Sequence, residues 1–408
     1  MKQTNNAIKF LMAQYRAIFK NANIAMVAAM VAAALAAGQA QAAAGDDGLN
    51  PLGKFETELK DSTIGSGDNL THDASNWVVL NAPANKPIKV ENGGKLTLSY
   101  TGTTSQGHIY TGNDLIVNSG GSLTLTGSTD AKAEIAGLVG AAKDTSGQDR
   151  ATPTASLTIN KDGKLDVTSS FAMMKDVNIN GTVNIKGTTG KTSGGADQNA
   201  YLKYAAVYAE TGNLTVGSDA AVTLGAASHL YGQNIAINGG TITFEGTTAA
   251  GKDSGLNAGA LLRAGDSKNG GALTILNGKL NVANGKSGDI VADTLNMSGG
   301  EINVSGTMGI GGNYHPGADV AEIDVTGGKV TVAKGGTLNL GGNASFADGT
   351  LANAGTVDFK IAEGGTRSFT IGQKDFANLL KGDGAKVNLS SLYILYTTRI
   401  LGLSSKFV

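Results

Sequence analysis

Cysteine is absent from all 408 residues, which excludes a disulfide framework, a thiolate metal site and a cysteine nucleophile. Proline occurs only 5 times and tryptophan once, so rigid kinks are few. The histidines, His72, His108, His229 and His315, stand far apart, and none has a second histidine at metal-ligand spacing, which argues against a zinc site. No basic run and no interleaving of basic and aromatic residues is present, so nucleic acid is not an expected partner. Walker and dinucleotide glycine motifs are missing, and no helical periodicity follows the N-terminal segment.

Glycine is what the chain has in excess. Its 60 residues are about twice the average usage of roughly 7%, and with so little proline they signal many tight turns rather than disorder. The N-terminus reads as an export signal. Lys2, Lys9, Arg16 and Lys20 make a basic region without an acid, Ile24 to Ala37 is uninterrupted apolar and small, and Ala40-Gln41-Ala42 supplies a cleavage site. The apolar run is about 14 residues long, whereas a spanning helix needs about 20, so residues 1–42 are expected to be removed. Loss of four cations from a chain of net charge −1 leaves a mildly acidic mature protein beginning near Ala43.

One pattern then recurs: apolar, x, apolar, a polar turn with Gly or Asp, and again apolar, x, apolar. It reads Leu115-Ile116-Val117 followed by Ser119-Gly120-Gly121 and Leu123-Thr124-Leu125, and returns as Leu157-Thr158-Ile159, Lys161-Asp162-Gly163 and Leu165-Asp166-Val167. Further copies start at Val177, Leu214, Ile235, Leu273, Leu295 and Ile323. Their spacing tends to alternate between about 20 and about 40 residues, a superperiod near 60 that Gly127-Ser128, Gly187-Thr188, Gly246-Thr247 and Gly306-Thr307 repeat independently. Every second unit therefore carries an extra coil or a long loop.

Period-2 alternation puts Leu157, Ile159, Leu165 and Val167 on one face and Thr158, Lys164, Asp166 and Thr168 on the other. One such unit cannot bury its apolar side alone. Stacking copies about 4.8 Å apart closes an inner column and pairs the backbone along the axis. A further short apolar piece precedes most copies, as at Ile109-Tyr110, Phe171 to Met174, Val207-Tyr208, Leu230-Tyr231 and Ile290-Val291. Three strands per coil of about 20 residues predict an all-β, single-stranded right-handed parallel β-helix; a β-sandwich is the alternative. Residues 88–365 would then hold about 14 coils over roughly 65–70 Å.

Residues 43–87, with the single Trp77, read as an irregular cap, and loops at about 128–155, 188–203 and 247–259 should project from one side. Asn118, Asn160, Asn180 and Asn238 follow the first strand of their units; the structural explanation is a turn residue that bonds to its counterpart in the next coil. Beyond Gly365 the pattern changes: Lys374 to Lys381 could form a short helix, and residues 366–408 form a more apolar remnant.

Candidate chemistry is thin. Gly265-Asp266-Ser267-Lys268 approaches a serine-hydrolase loop but lacks the following glycine. Gly311-Gly312-Asn313 only touches the calcium-binding nonapeptide pattern. Asp162, Asp166 and Asp176 are the densest acidic group, and a polysaccharide lyase or hydrolase would need such carboxylates gathered on one face. Solvated turns explain them more simply. No catalytic, cofactor-binding or metal residue is assigned.

The long basic and apolar N-terminal segment resembles the extended signal peptides of large autotransporters of Gram-negative bacteria. Together with the lack of cysteine and the Gly/Asn/Thr-rich repeats, it makes residues 1–365 resemble an autotransporter passenger. The resemblance implies an exported, non-enzymatic adhesin or stalk at the cell surface, contacting host or neighbouring-cell glycans or proteins. A translocator barrel of about 12 strands does not fit in the 43 residues left after 365. A truncated product is one expectation, and a separate translocator the other.

Overall fold

The computed structural model describes residues 55–389, apart from 59–61, 75–77, 83–85, 101–107, 129–135, 142–151, 192–199, 248–258, 266–269, 312–321, 360–368, 373–374, 376–378 and 380–384. The predicted signal segment, Trp77 and His315 lie outside the described residues.

The chain winds through three strand columns in a fixed order. Column one contains Ile109–Tyr110, column two Leu115–Val117 and column three Ser122–Thr126, and each later coil repeats the sequence. Column three forms a parallel sheet of 11 strands, while columns one and two merge into a 23-stranded sheet. They merge because Ala205–Val216 and Ser228–Ile237 run unbroken from one column to the next, with a register shift between Ala209 and Asn213. The fold is a parallel β-helix.

Every copy start read from the sequence falls in column two. Direct pairing also decides what the long steps contain. Leu157 pairs with Leu115 on one side and with Val177 on the other, and Val177 pairs with Leu214. Ile235 pairs with Leu273 in the same way. No coil can lie between paired strands, so each long step is one coil plus a loop excursion. Residues 88–365 accordingly hold ten strands of column two, a length of about 45 Å rather than roughly 65–70 Å.

Alternation does what it predicts. Leu157, Ile159, Leu165 and Val167 are buried in one continuous core, together with column-one residues such as Leu138, Ala172, Val207 and Leu230. Each aliphatic side chain taken from water contributes about 1.5–3 kcal/mol. The turn from column two to column three is tight in every coil. Asp162 takes its left-handed conformation there at φ 59, where Gly120 and Gly240 serve in other coils at φ 74 and 68. The next residue, Gly121, has no space for a Cβ against the Val90 carbonyl of the preceding coil.

Both expected ends need correction. Phe55–Glu58 pairs with Val78–Asn81, and Asn69–Ala74 pairs in register with Lys95–Tyr100, so the coil begins well before residue 88 instead of behind an irregular cap. At the other end Phe369–Ile371 and Lys386–Leu389 extend columns two and one past residue 365. Among the described residues the last strand of column three is Leu351–Asn353. Asp375 and Leu379, both helical and both buried, follow column two where its next strand would stand. The Leu351 N–H donates to the Asp375 carboxylate at 3.0 Å, and Leu379 closes the apolar core. Asp375 thus satisfies, at this end of column three, a backbone donor that a further strand would otherwise have taken.

The loops leave from two corners, not one. Excursions between columns three and one flank 101–107, 129–135 and 248–258, and the antiparallel pair Thr188–Lys191 with Ala200–Lys203 occupies the same corner. The expected loop 128–155 is interrupted by Gly137–Val139, a column-one strand. Its second half, like 312–321, lies at the corner between columns one and two.

A candidate binding strip of aromatic side chains

Column one has an inner and an outer face. Its outer positions are set by register: Phe171 pairs with Gly137 below and Ala206 above, and Ala206 pairs with His229. His108 stands one residue ahead of Ile109, which pairs with Leu138, so it occupies the position below Gly137. One outer row therefore reads His, Gly, Phe, Ala, His. Two residues on, the neighbouring row reads Tyr110, Val139, Met173, Tyr208, Tyr231 and Arg263.

Large and small residues alternate along the first row, and the rings use the space. His108 lies 5.4 Å from Phe171 between ring centres and 6.2 Å from Tyr110. Phe171 meets Tyr208 edge-on at 6.4 Å, Tyr208 meets Tyr231 at 5.8 Å, and Tyr204 tilts against His229 at 4.7 Å. These are the separations at which aromatic pairs attract beyond simple burial. The strip crosses six coils, about 24 Å of rod.

Its two halves differ. In the lower half Val79, Tyr110, Val139 and Ala141 are 1–7% exposed and form a small apolar cluster separate from the main core, with Phe171 packed on it. Ala141 opens the excursion at 142–151. The upper half carries polar groups: Tyr204, Tyr208, His229 and Arg263 are half-buried, Glu210 is exposed, and Tyr231 is 8% exposed. Arg263 donates from Nε to the Gly265 carbonyl at 3.1 Å and lies close enough to His229 and Tyr208 to influence both. Burial, reinforced by Arg263, pushes His229 down to about 4, so the imidazole is neutral at physiological pH. Burial first, then Glu210 and Tyr204, pushes Tyr208 up to about 12 against the opposing effect of Arg263. Its phenol stays a hydrogen-bond donor. Tyr204 is raised as well, by burial.

Sequence candidates fare differently. His108 and His229 share an outer row, four coils and about 19 Å apart, too far to share a metal ion. His72 lies in Asn69–Ala74, and its side chain falls outside the described residues. Asp266, Ser267 and Lys268 fall outside them too, as do Gly312 and Asn313. Asp162, Asp166 and Asp176 are not brought together. Asp162 sits in the exposed turn after column two, and Asp166 lies on the outer face of column three, paired with Lys164 at 2.8 Å and accepting from Asn184. Asp176 precedes column two, where it accepts the Asn213 N–H at 3.0 Å. Among the described residues no group of three or more His, Asp or Glu could hold a metal ion.

Asn160 donates to Asn118 in the adjoining coil at 2.6 Å, the stacked amide expected from the sequence. The row breaks after Asn180, where Gly217 leaves room for the Asn180 carboxamide oxygen. Asn303 on Asn281, at 3.0 Å, forms another rung of the same kind on column three.

No family model matches the chain, and no curated protein matches it. Among solved structures it is similar to the TibC-catalyzed hyper-glycosylated TibA55-350 fragment, at 12% identity and a TM-score of 0.21, over 83% of this chain and 97% of that one. A likeness at that score carries no argument. The β-helix rests on strand register alone.

Proposed function

We propose that the chain is an exported, non-enzymatic surface module of a Gram-negative envelope, passenger-like in the manner of autotransporters, which acts as an adhesin on a rigid stalk. The observation that carries this reading is the contrast between faces. Outer positions of column three repeat Thr, Asn, Lys and Asp in ladders, whereas column one presents a row of rings. A surface of that kind suits contact with another molecule. A hydrolytic centre instead needs carboxylates converging on one point, and the densest acidic group in the sequence is spread over a turn, a strand and a corner.

The stalk role follows from mechanics: each coil is hydrogen-bonded to the next along the axis, so the rod resists bending and holds its loops away from its base. Partners on this reading are glycans or proteins of host or neighbouring cells. Cell fractionation with protease shaving of intact cells, read with antibody against residues 88–365 and mass spectrometry of the mature N-terminus, tests it. Surface exposure with a start near Ala43 is expected. A product confined to the cytoplasm with Met1 intact contradicts it.

A further inference from the structure

The geometry points to a carbohydrate-binding site in the upper half of the outer strip, built from Tyr204, Tyr208, Glu210, His229, Tyr231 and Arg263 and suited to a short neutral oligosaccharide. This deepens the adhesin reading and rests on it.

Three observations select that ligand. First, ring faces follow one another along the rod axis, with Tyr208 and Tyr231 at 5.8 Å and tilted by 58°, and Tyr204 and His229 at 4.7 Å. The C–H face of a pyranose packs on such rings, with half-buried Tyr204, Tyr208 and His229 as the platforms and Tyr231, 8% exposed, backing Tyr208. Second, the polar groups are of the kind that pair with vicinal hydroxyls. Glu210 and Arg263 both lie within electrostatic reach of Tyr208, one acceptor-only and the other donor-only, with phenol and imidazole between them. Third, their charges oppose each other, and the neutral imidazole adds none. An anionic sugar would gain from Arg263 what it loses to Glu210, whereas a neutral one uses both.

Half-burial matters as well. These side chains stand beside the antiparallel excursion of Thr188–Lys191 with Ala200–Lys203, which leads directly into Tyr204 and Ala205. A hydrogen bond made against half-buried groups is stronger than one made in open water. The lower half, by contrast, is closed by its own apolar cluster.

The test is isothermal titration of the purified mature chain with maltotriose, chitotriose and lactose, beside a hyaluronan tetrasaccharide as the acidic comparison. Tyr208→Phe keeps the ring while removing the hydroxyl, and Glu210→Gln removes the charge of an exposed side chain while keeping its shape. Saturable binding of at least one neutral probe is expected, weakened about tenfold by Tyr208→Ala and less by the two milder variants, with Thr243→Ala on column three unchanged. Three results overturn the site: no binding of any neutral probe at millimolar concentration, binding of the acidic probe alone, or neutral binding that neither Tyr208→Phe nor Glu210→Gln alters. Mass spectrometry of the recovered probes separates this inference from the wider one. Cleaved sugar contradicts the non-enzymatic reading and leaves the site standing, while absent binding removes the site and leaves surface display to be judged by shaving.

Discussion

Phe171 rests its ring over Gly137, its paired residue one coil below, and so reaches His108 at 5.4 Å between ring centres. A Cβ on Gly137 would collide with the Phe171 carbonyl oxygen and stand only 2.7 Å from its Cγ. The glycine is thus what joins the lower rings of the strip into one stack.

Gly137→Ala is expected to cost roughly 1–3 kcal/mol, the range for overpacking a close contact. Because a backbone carbonyl is one of the atoms struck, shortening Phe171 to Leu should not restore the loss. Denaturant unfolding of the single and double variants measures this.

Gly288 makes a related contact. The nearest atoms to a Cβ there all belong to the Phe244 side chain, a fully buried ring of column three. Gly288→Ala should destabilise by roughly 1–3 kcal/mol. Phe244→Leu should recover little of that, because leucine keeps the Cβ and Cγ that stand 2.6 and 2.5 Å from the added methyl, and a double-mutant cycle measures the coupling.

The terminal turn makes a local prediction. Asp375→Ala leaves the buried Leu351 N–H without its acceptor, at a cost of about 1–3 kcal/mol. Amide exchange at Leu351–Asn353 should accelerate strongly while exchange at Leu165 stays slow, since solenoids open from their ends.

His229 sets a pH dependence. Its folded value of about 4 lies below the unfolded 6.5, so between those limits the unfolded chain binds a proton that the folded chain refuses. Stability from this group is complete above about pH 6.5 and falls as pH drops toward 4. The groups facing it, Arg263 and Tyr204, do not change charge in that window. Unfolding midpoints from pH 7 to 4 should fall less steeply in His229→Asn than in the parent.

Column two was legible because alternation and turn chemistry sit within about 11 consecutive residues, from Leu157 to Val167. What periodicity could not separate was an extra coil from an excursion, since both lengthen the step from Leu115 to Leu157 equally; only pairing distinguishes them. The aromatic strip escaped for a related reason: Tyr110, Phe171, Tyr208 and Tyr231 are neighbours across excursions of unequal length. One signal did exist. His108-Ile109-Tyr110 and His229-Leu230-Tyr231 repeat the same outward, inward, outward triplet, which marks both as column-one strands with aromatic outer faces. The Asp375 contact was half visible, in that a short helix was expected over Lys374 to Lys381 and Asp375 and Leu379 are helical, but its role required knowing that Asp375 meets the Leu351 N–H.

Coils stack directly across the excursions, and the absence of cysteine makes that stacking simple to test. Ile116 and Thr158 are paired, half-buried outward residues on strands joined across the 142–151 excursion. Placed as Ile116→Cys with Thr158→Cys, they should oxidise to a disulfide in the folded chain, because paired strands lie about 4.8 Å apart, within the Cα range a disulfide spans. Ile116→Cys with Asn178→Cys, two coils and about 9.6 Å apart, should not. Crosslinking of the first pair alone is the predicted result; failure of the first pair, or ready crosslinking of the second, would contradict the solenoid register and with it the outer strip.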